Sequence, residues 1–479
     1  MKTVMAVLDK RGENVTGTVI RVLGCLGIEP TESYGVATSK TNTIERNPEA
    51  LQKHDINSSV LVGYTFSRNL PIDHPQSMKL KDSTLVFEGP IYVPIRKSPA
   101  AKVVYKKLMR SDKTIESLFE EIEGDFCFFI AEPQRLIVGR DPIGVQPLYF
   151  GENASIAAIA TNRKSLWTLG ITKTESFPPG HLAFVNLEGF KFKPTKTLTY
   201  SRPRPIRMEK AEETLQKLLE SSVRTRVFGL KEVAVAFSGG LDSSIIAFLA
   251  KKYRVNVQLI HVSLRNHIET EEAKKAADEL KLPLQVYLFR KEDVAKVVPR
   301  VVTLIEEPDP VKTAIGVPFY WTAEKTAKAG LTVLLAGQGA DELFGGYQRY
   351  VNVYELYGEE EVRSSMFKDV VNLHENNIER DKKICSFHNV ELRLPFASYR
   401  IAKFAVSLPV KFKLEKKKDS ARKLVLRKVA ENLGLPVSIT EKPKKAIQYS
   451  TGINDALKKI AKEQKMTVND YVNKLFETN

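Results

Sequence analysis

One segment in the second half of the sequence combines glycine, serine and aspartate directly after an apolar run. Its residues are Ser238, Gly239, Gly240, Leu241, Asp242, Ser243 and Ser244. Glycines let backbone N–H groups approach an anion closely, and the serine hydroxyls add further donors. A helix that begins here would contribute the positive potential of its N-terminus. The segment therefore predicts a phosphate-binding loop.

The carboxylate of Asp242 would repel a phosphate bound to this loop. A Mg²⁺ ion between the carboxylate and the phosphates would remove the repulsion, so we expect a magnesium site. The spacing is not that of the GxxxxGK[ST] loop of kinases and GTPases. A Gly-Ser turn that only caps a helix with serine and aspartate would use the same residue types without a ligand.

The loop resembles the signature of a known class of enzymes. Residues 238–243 match every fixed position of the SGGxDS signature of ATP pyrophosphatases, which cleave ATP between its α and β phosphates. Several classes share that signature, including tRNA-modifying and GMP-forming enzymes. A second segment, residues 337–347, resembles the GEGADELFGGY segment of asparagine synthetases. Together they indicate the asparagine synthetase family, although an acidic loop with a helix cap would account for Asp341 and Glu342 alone.

The resemblance implies ATP and Mg²⁺ as cofactors and roles for single residues. Asp242 and Asp341 would be the metal ligands, and Glu342 would support the loop. The expected contacts with ATP and pyrophosphate are Ser238, Gly239, Gly240, Leu241, Asp242, Ser243, Ser244, Val262 and Gly337. Gln338 stands where the family has a glutamate, and a neutral amide cannot accept a proton as a carboxylate can.

Segments nearer the C-terminus extend the resemblance. They are Asp381, residues 388–396 (similar to HSLEVRVPF), residues 423–427 (similar to KxxLR) and residues 442–452. In the last segment, Lys444 or Lys445 is expected to face the reacting phosphates and to complete the predicted catalytic set with Gln338 and Glu342. A cation there would stabilise charge on the departing pyrophosphate, whereas the alternative is a pair of surface lysines.

The first part of the chain resembles a class II glutamine amidotransferase domain. The matching segments are residues 124–126 (GDFAF), 138–149 (GRDPxGxxPLYY) and 178–180 (PPG). In that family, removal of the first methionine exposes a cysteine that attacks glutamine with its own α-amino group as base. Here Lys2 follows Met1. The glutaminase nucleophile is therefore expected to be absent.

The glutamine-binding segments of that family are also changed. Their counterparts here are residues 28–32 for RGPD, 63–66 for GHxR and 88–90 for NGE. Both arginines are missing, and Glu88 replaces the asparagine. A carboxylate at that position would repel a developing oxyanion. We expect a degenerate domain with a structural or regulatory role.

The apolar pattern predicts the elements that must position these residues. The first part shows short apolar runs and two charged helical patterns, of which the clearer covers residues 101–117. This pattern predicts an α+β fold of antiparallel sheets with packed helices, and the resemblance implies an Ntn-hydrolase-like sandwich. The predicted domain covers residues 1–205 and ends at the Pro203-Arg204-Pro205 break.

The second predicted domain covers residues 206–479. An amphipathic helix near residues 209–227 precedes strands predicted at residues 232–237, 257–264, 284–289 and 331–335. Alternation of strands and helices predicts an α/β fold with a doubly wound parallel sheet, and the resemblance implies the adenine nucleotide α-hydrolase type. The part from about Val351 is expected to be helical and without strands.

Composition is consistent with a folded protein of two domains. The 479 residues are 43% apolar and 27% charged, and no apolar stretch is long enough to span a membrane. The formal charge of +16 favours acidic partners such as nucleotide, pyrophosphate or RNA, although lysine-rich stretches such as residues 411–418 are usually solvated. We expect a soluble, cytoplasmic protein whose three cysteines, Cys25, Cys127 and Cys385, are buried and reduced.

These features predict an AMP- and pyrophosphate-forming amide ligase that needs ammonia from elsewhere. Aspartate is the leading acyl substrate, but the counterpart of the aspartate-holding segment, residues 311–318, has no arginine, and Lys312 could replace it only without bidentate geometry. Alternatives are another carboxylate and amine pair, as in β-lactam synthetases or a tRNA-directed enzyme, and a non-catalytic regulatory paralogue. The partners considered are a separate glutaminase, tRNA and a second copy of the chain.

Overall fold

The computed structural model describes most of the chain. The described residues are 3–26, 31–70, 73–93, 100–108, 114–265, 269–416, 421–442 and 452–478. They form two compact units, Met1–Thr197 and Leu198–Asn479. The sequence placed the boundary slightly later, after residue 205.

The first unit consists mainly of strands. Its strands are β1 (Thr3–Asp9), β2 (Ser33–Ala37), β3 (Asn42–Glu45), β4 (Val60–Phe66), β5 (Ser77–Lys79), β6 (Thr84–Glu88), β7 (Ile91–Val93), β8 (Glu123–Gly124), β9 (Cys127–Ala131), β10 (Leu136–Arg140), β11 (Tyr149–Glu152), β12 (Ile156–Ala160), β13 (Glu175–Ser176), β14 (His181–Asn186) and β15 (Gly189–Pro194). Its helices are α1 (Thr16–Cys25), α2 (Pro48–Gln52), α3 (Ala100–Leu108), α4 (Ile115–Glu121) and α5 (Arg163–Thr168).

Two antiparallel sheets of the first unit pack face to face. One has the strand order β13-β11-β12-β1-β4-β2-β3, the other β15-β14-β10-β9-β6-β5, and β7 and β8 form a separate pair. A core of apolar residues from both sheets lies between them, for example Val62 and Phe129. On the outer faces, α1 packs on the first sheet and α3 and α4 on the second. The predicted α+β sandwich of antiparallel sheets is confirmed.

Two details of the first unit differ from the predictions. The helical pattern at residues 101–117 forms two helices, because Thr114 has an extended backbone and its side chain accepts a hydrogen bond from Ser117 N to cap α4. Cys25 is exposed, since it lies beyond the buried face of α1, whereas Cys127 and Cys385 are buried as expected. Burial raises the pKa of both buried thiols.

The second unit alternates strands and helices. Its strands are β16 (Glu232–Ala236), β17 (Asn256–Leu264), β18 (Leu284–Phe289), β19 (Val333–Leu335) and β20 (Glu391–Arg393). Its helices are α6 (Met208–Val227), α7 (Leu241–Lys252), α8 (Glu269–Leu280), α9 (Lys291–Ile305), α10 (Pro310–Lys328), α11 (Ala340–Phe344), α12 (Gln348–Tyr357), α13 (Glu359–Val371), α14 (Glu379–Phe387), α15 (Tyr399–Val406), α16 (Leu424–Asn432), α17 (Val437–Thr440), α18 (Ile453–Glu463) and α19 (Val468–Glu477). A π-helical turn (His374–Ile378) and a 3₁₀ turn (Val410–Phe412) complete the regular structure of its described residues.

The five strands of the second unit form one parallel sheet. Their order is β18-β17-β16-β19-β20, so the sheet extends in both directions from β16. This order confirms the predicted doubly wound sheet, and the chain reverses its direction of winding between β16 and β19. In sheets of this type, ligands bind beyond the carboxyl ends of the strands at that point.

The C-terminal part is mainly helical, as predicted, but two of its details differ from the expectation. β20 is a strand at the edge of the sheet, although this part was expected to have none. Its three residues include Glu391 and Arg393, whose side chains are hydrogen-bonded at 2.8 Å, so it has no apolar run to reveal it. In the lysine-rich stretch, Lys413 is buried and not solvated, and burial lowers the pKa of its ammonium group to about 7.

Among the described residues, none of the helices combines the length and apolar character needed to cross a membrane.

Candidate active site

The predicted phosphate loop connects β16 to α7. Gly240 precedes the first residue of α7 with an extended backbone (φ −90°, ψ 172°). Gly239 has a φ of +66°, and a Cβ atom there would lie 2.8 Å from Ala273 Cα. Only glycine fits this position without strain or displacement of the backbone. The loop therefore ends at a helix N-terminus, which is the geometry that the sequence predicted.

Serine side chains hold the loop in shape. Ser238 Oγ accepts a hydrogen bond from Gly240 N at 3.3 Å, and Ser243 Oγ donates to Gly240 O at 3.2 Å. The hydroxyl of Ser244 is buried and has no hydrogen-bond partner among the described residues. A loop whose shape is already fixed needs little reorganisation when an anion binds.

The second predicted segment lies beside this loop, at the carboxyl end of β19. A Cβ atom at Gly337 would lie 3.0 Å from Asp242 Cβ, so the two segments are in close contact. Because β16 and β19 are neighbouring parallel strands, the residues that follow them meet at one edge of the sheet. The structure therefore brings Asp242 and Asp341 together, as the prediction of a shared metal site requires.

A buried lysine lies between these two carboxylates. Lys423 Nζ is 2.7 and 2.6 Å from the two carboxylate oxygens of Asp242 and 2.7 Å from Asp341 Oδ1. The lysine is only 2% exposed. In the sequence, Lys423 was recognisable only as part of a segment similar to KxxLR, and no role was predicted for it. No spacing signal could reveal this contact, because Lys423 is far from both aspartates in the sequence.

The described residues contain no group of three or more His, Cys, Asp or Glu side chains that could hold a metal ion. Asp242 and Asp341 nevertheless fit Mg²⁺ that arrives with a nucleotide, because such sites commonly use one or two carboxylates together with phosphate oxygens. The protein itself would supply carboxylate oxygens from these two residues, and the remaining ligands would come from phosphates and water.

Glu342 is buried behind the loop. Its Oε1 accepts hydrogen bonds from Tyr347 Oη at 2.6 Å and from Asn377 Nδ2 at 2.7 Å. Burial and the neighbouring Asp341 carboxylate raise the pKa of Glu342. These contacts tie the segment after β19 to the π-helical turn, so Glu342 is placed to support the loop.

Gln338 is hydrogen-bonded to a buried carboxylate. Gln338 Nε2 donates to Asp381 Oδ2 at 2.6 Å. Arg380 contacts the same carboxylate, with Nε 2.7 Å from Oδ1 and Nη2 3.1 Å from Oδ2. Burial raises the pKa of Asp381, and Arg380 opposes that shift. The amide nitrogen of Gln338 is therefore held by Asp381, which fixes the orientation of the amide.

The remaining residues of the predicted site are Val262, Lys444 and Lys445. Val262 is buried on β17, one strand away from β16. Lys444 and Lys445 lie outside the described residues. Lys442, from the same segment, contacts the phosphate loop: its Nζ donates to Gly239 O at 3.3 Å and is 2.9 Å from Glu272 Oε2.

Lys312, the lysine considered for aspartate binding, forms an ion pair with Glu307. Its ammonium group is therefore already neutralised within the protein.

In the first unit, Tyr64 belongs to residues 63–66, one of the changed glutamine-binding segments. Tyr64 is buried between the sheets, and its Oη is 2.7 Å from Ser77 Oγ. Burial raises the pKa of Tyr64 to about 12. A Cβ atom at Gly35 would lie 2.1 Å from the Tyr64 ring. Glu88 is also buried, and Lys2 lies outside the described residues.

Comparisons with known proteins show which family the sequence resembles. The asparagine synthase family model matches residues 214–356 and 353–475, and the glutamine amidotransferase domain model matches residues 95–168. A Methanocaldococcus jannaschii protein named as a glutamine-hydrolysing asparagine synthetase 1 is 32% identical over 452 residues, which cover 82% of each chain. The glutamine-hydrolysing asparagine synthetase of Gallus gallus is 22% identical over 90% of this chain and 82% of its own.

Among solved structures, a glutamine PRPP amidotransferase of B. subtilis covers 59% of this chain and 65% of its own at 14% identity. Its TM-score of 0.35 is too low to support an argument. The family assignment therefore depends on the sequence matches, which span both units. On those matches, the chain belongs to the asparagine synthase family.

Proposed function

We propose that this chain is an ATP-dependent, AMP- and pyrophosphate-forming amide ligase that adenylates a carboxylate, with aspartate as the leading substrate, and transfers ammonia to it. The observation that carries the proposal is the meeting of the loop at residues 238–244 with Asp341 at the reversal point of the parallel sheet. Family membership supports the ligase class.

In the first step, the backbone N–H groups of the loop and the N-terminus of α7 hold the ATP phosphates. Asp242 and Asp341 would hold Mg²⁺, which neutralises charge on the pyrophosphate when it is bound. A carboxylate oxygen of the substrate attacks the α phosphorus, and the bond to the β-phosphate oxygen breaks. Pyrophosphate leaves, and an acyl-adenylate remains. The protein contributes mainly position and charge stabilisation.

In the second step, the nitrogen of ammonia attacks the carbonyl carbon, loses a proton and displaces AMP. Gln338 cannot accept that proton, because an amide is not a base at neutral pH. Since Asp381 holds the amide nitrogen of Gln338, the amide oxygen is left to accept a hydrogen bond from the amine. We propose that Gln338 orients ammonia and that solvent or the departing phosphate removes the proton.

We also propose that the first unit is the degenerate glutaminase-like domain. Lys2 cannot replace a nucleophilic cysteine, and the counterparts of the arginines and asparagine that would bind glutamine are absent from the sequence. Glu88 is buried at the position that would hold the oxyanion, where its carboxylate would repel a developing negative charge. Ammonia would then come from solution or from a separate enzyme.

A second candidate keeps the adenylating site but uses another carboxylate. The ion pair of Lys312 with Glu307 favours this candidate. Lys312 is the cation that was considered for binding a carboxylate of aspartate, and its charge is already paired within the protein. A substrate with a single carboxylate would not need that cation.

The test is pyrophosphate release by the purified protein with Mg²⁺-ATP and aspartate, compared between ammonium, glutamine and no nitrogen source. We expect release and asparagine with ammonium only. Asp341→Asn should abolish release, whereas Asp455→Asn, the same change at an exposed aspartate on α18, should not. Release with glutamine as nitrogen source would contradict the degenerate glutaminase. Release with another carboxylate but not with aspartate would favour the second candidate.

A further inference from the structure

In the contact of Lys423 with Asp242 and Asp341, the lysine side chain is more deeply buried than the two carboxylates. The side chain of Lys423 is 3% exposed, whereas those of Asp242 and Asp341 are 14% and 16% exposed. The ammonium group therefore reaches the carboxylates from the protein interior. It contacts three of their four oxygens within 2.7 Å.

The surrounding backbone is adapted to this lysine. Lys423 has a φ of +60°, which non-glycine residues rarely adopt and which the surrounding structure must stabilise. Its neighbours fix that conformation, since Leu424 N donates to Lys413 O and Arg427 N donates to Lys423 O. A Cβ atom at Gly346 would lie 2.6 Å from Lys423 Cε and 1.9 Å from Asp341 Oδ1. Only glycine at position 346 leaves room for the ion pair.

The ammonium group changes what the two carboxylates can bind. Two neighbouring carboxylates without a counter-ion repel each other and attract a divalent cation. With the ammonium group between them, a free Mg²⁺ ion would meet a positive charge at contact distance. Mg²⁺ also gives up its water reluctantly and favours sites that include phosphate oxygens. The phosphates of a nucleotide would bring enough negative charge to offset the lysine.

We propose that Lys423 is the resident counter-ion of Asp242 and Asp341, and that it excludes free divalent cations so that the metal enters only together with a nucleotide. The exclusion of free metal is independent of the proposed reaction. The entry of metal with nucleotide rests on the proposed function, because it requires that the loop binds ATP.

The test uses Mn²⁺ as the probe and measures bound Mn²⁺ by electron paramagnetic resonance, with and without ATP. Without ATP, we expect no bound Mn²⁺ at this site in the wild-type protein and at least tenfold tighter binding in Lys423→Met. Adding Asp341→Asn to Lys423→Met should remove the gained binding. Lys413→Met, which deletes another buried lysine that has no ion pair among the described residues, should gain no Mn²⁺ site.

Failure of Lys423→Met to gain Mn²⁺ binding would overturn the proposal. If that variant does not fold, the wild-type protein decides: Mn²⁺ bound without ATP that is lost in Asp341→Asn would overturn the proposal, and its absence would support it. In the wild-type protein, Mn²⁺ should bind when ATP is added. If it does not, the nucleotide site and therefore the proposed function are contradicted. The exclusion of free metal is tested separately, by the measurements without ATP.

Discussion

At the scale of single residues, the site combines side chains whose charges depend on their neighbours. Gln338 occupies a position where the resemblance implied a carboxylate, and its amide donates to the buried Asp381. A glutamate at position 338 would place a second carboxylate against the first. The neutral amide is therefore the residue type that fits beside Asp381 when that carboxylate is paired with Arg380.

Gln338→Glu should make stability depend on pH. The new carboxyl group lies against Asp381, so its folded-state pKa is raised above its unfolded value of about 4.3. The protonated form restores the hydrogen bond, so the variant approaches wild-type stability below that unfolded pKa. It loses stability as pH rises through the raised pKa, by roughly 2–4 kcal/mol at neutral pH. Urea unfolding of both proteins across the pH range measures this difference.

The matched control is Gln216→Glu. Gln216 also donates to a carboxylate, that of Glu220, but this pair is partly exposed and Lys252 contacts Glu220. Screening by water and the lysine should keep the pH dependence of this variant small. Equal slopes in the two variants would show that Asp381 does not impose a special environment on residue 338.

At the scale of elements, the parallel sheet decides which loops meet. The loop after β16 and the segment after β19 are distant in sequence, but their strands are neighbours. A short helix, α11, and the turn at Gly346 then direct the chain back past Asp341, where Gly346 N donates to Asp341 O at 2.7 Å. The turn has no room for a side chain, because the Asp341 carboxylate and Lys423 occupy the space.

Gly346→Ala should separate Asp341 from Lys423. A methyl group 1.9 Å from Asp341 Oδ1 must displace the carboxylate. We expect pyrophosphate release to fall about tenfold or more and the free energy of unfolding to fall by about 1–3 kcal/mol, as for other overpacked sites. Kinetics and urea unfolding measure the two effects. Gly17→Ala on α1 is the control, since a Cβ atom there meets nothing within 4 Å and should leave both quantities unchanged or slightly raise stability.

At the scale of the whole molecule, the two units differ in the ligands that they are expected to bind. Each contains one of the two tryptophans of the chain: Trp167 follows Leu166 on α5, and Trp321 stacks on Phe289 with ring centroids 3.9 Å apart. Trp321→Phe leaves a fluorescent reporter of the first unit, and Trp167→Phe leaves a reporter of the second.

Mg²⁺-ATP should raise the unfolding temperature reported by Trp321. A ligand at 100 times its dissociation constant stabilises the folded state by about 2.7 kcal/mol, which corresponds to roughly 5 °C or more for a unit of this size. Glutamine should not shift the transition reported by Trp167, because the residues that would bind it are missing. A glutamine-dependent shift of that transition would contradict the degenerate glutaminase, and no shift with ATP would contradict the nucleotide site.

The sequence by itself determined the features that depend on residues close together in the chain. The glycines and serines of residues 238–244 predicted a loop followed by a helix, and the alternation of apolar runs predicted the parallel sheet. The short apolar runs of the first unit predicted antiparallel sheets with packed helices, whereas the sandwich was implied by the family resemblance. These signals are local, because strand and helix periodicity repeats over a few residues and a turn is defined by its own glycines.

Only the tertiary structure decided which distant groups share one environment. Lys423 meets Asp242 although 181 residues separate them, Asp381 holds Gln338, and the short charged strand β20 joins the sheet edge without an apolar run. The exposure of Cys25 and the burial of Lys413 also depend on the tertiary structure. Burial and charge pairing depend on distance through space, and spacing along the chain does not determine that distance.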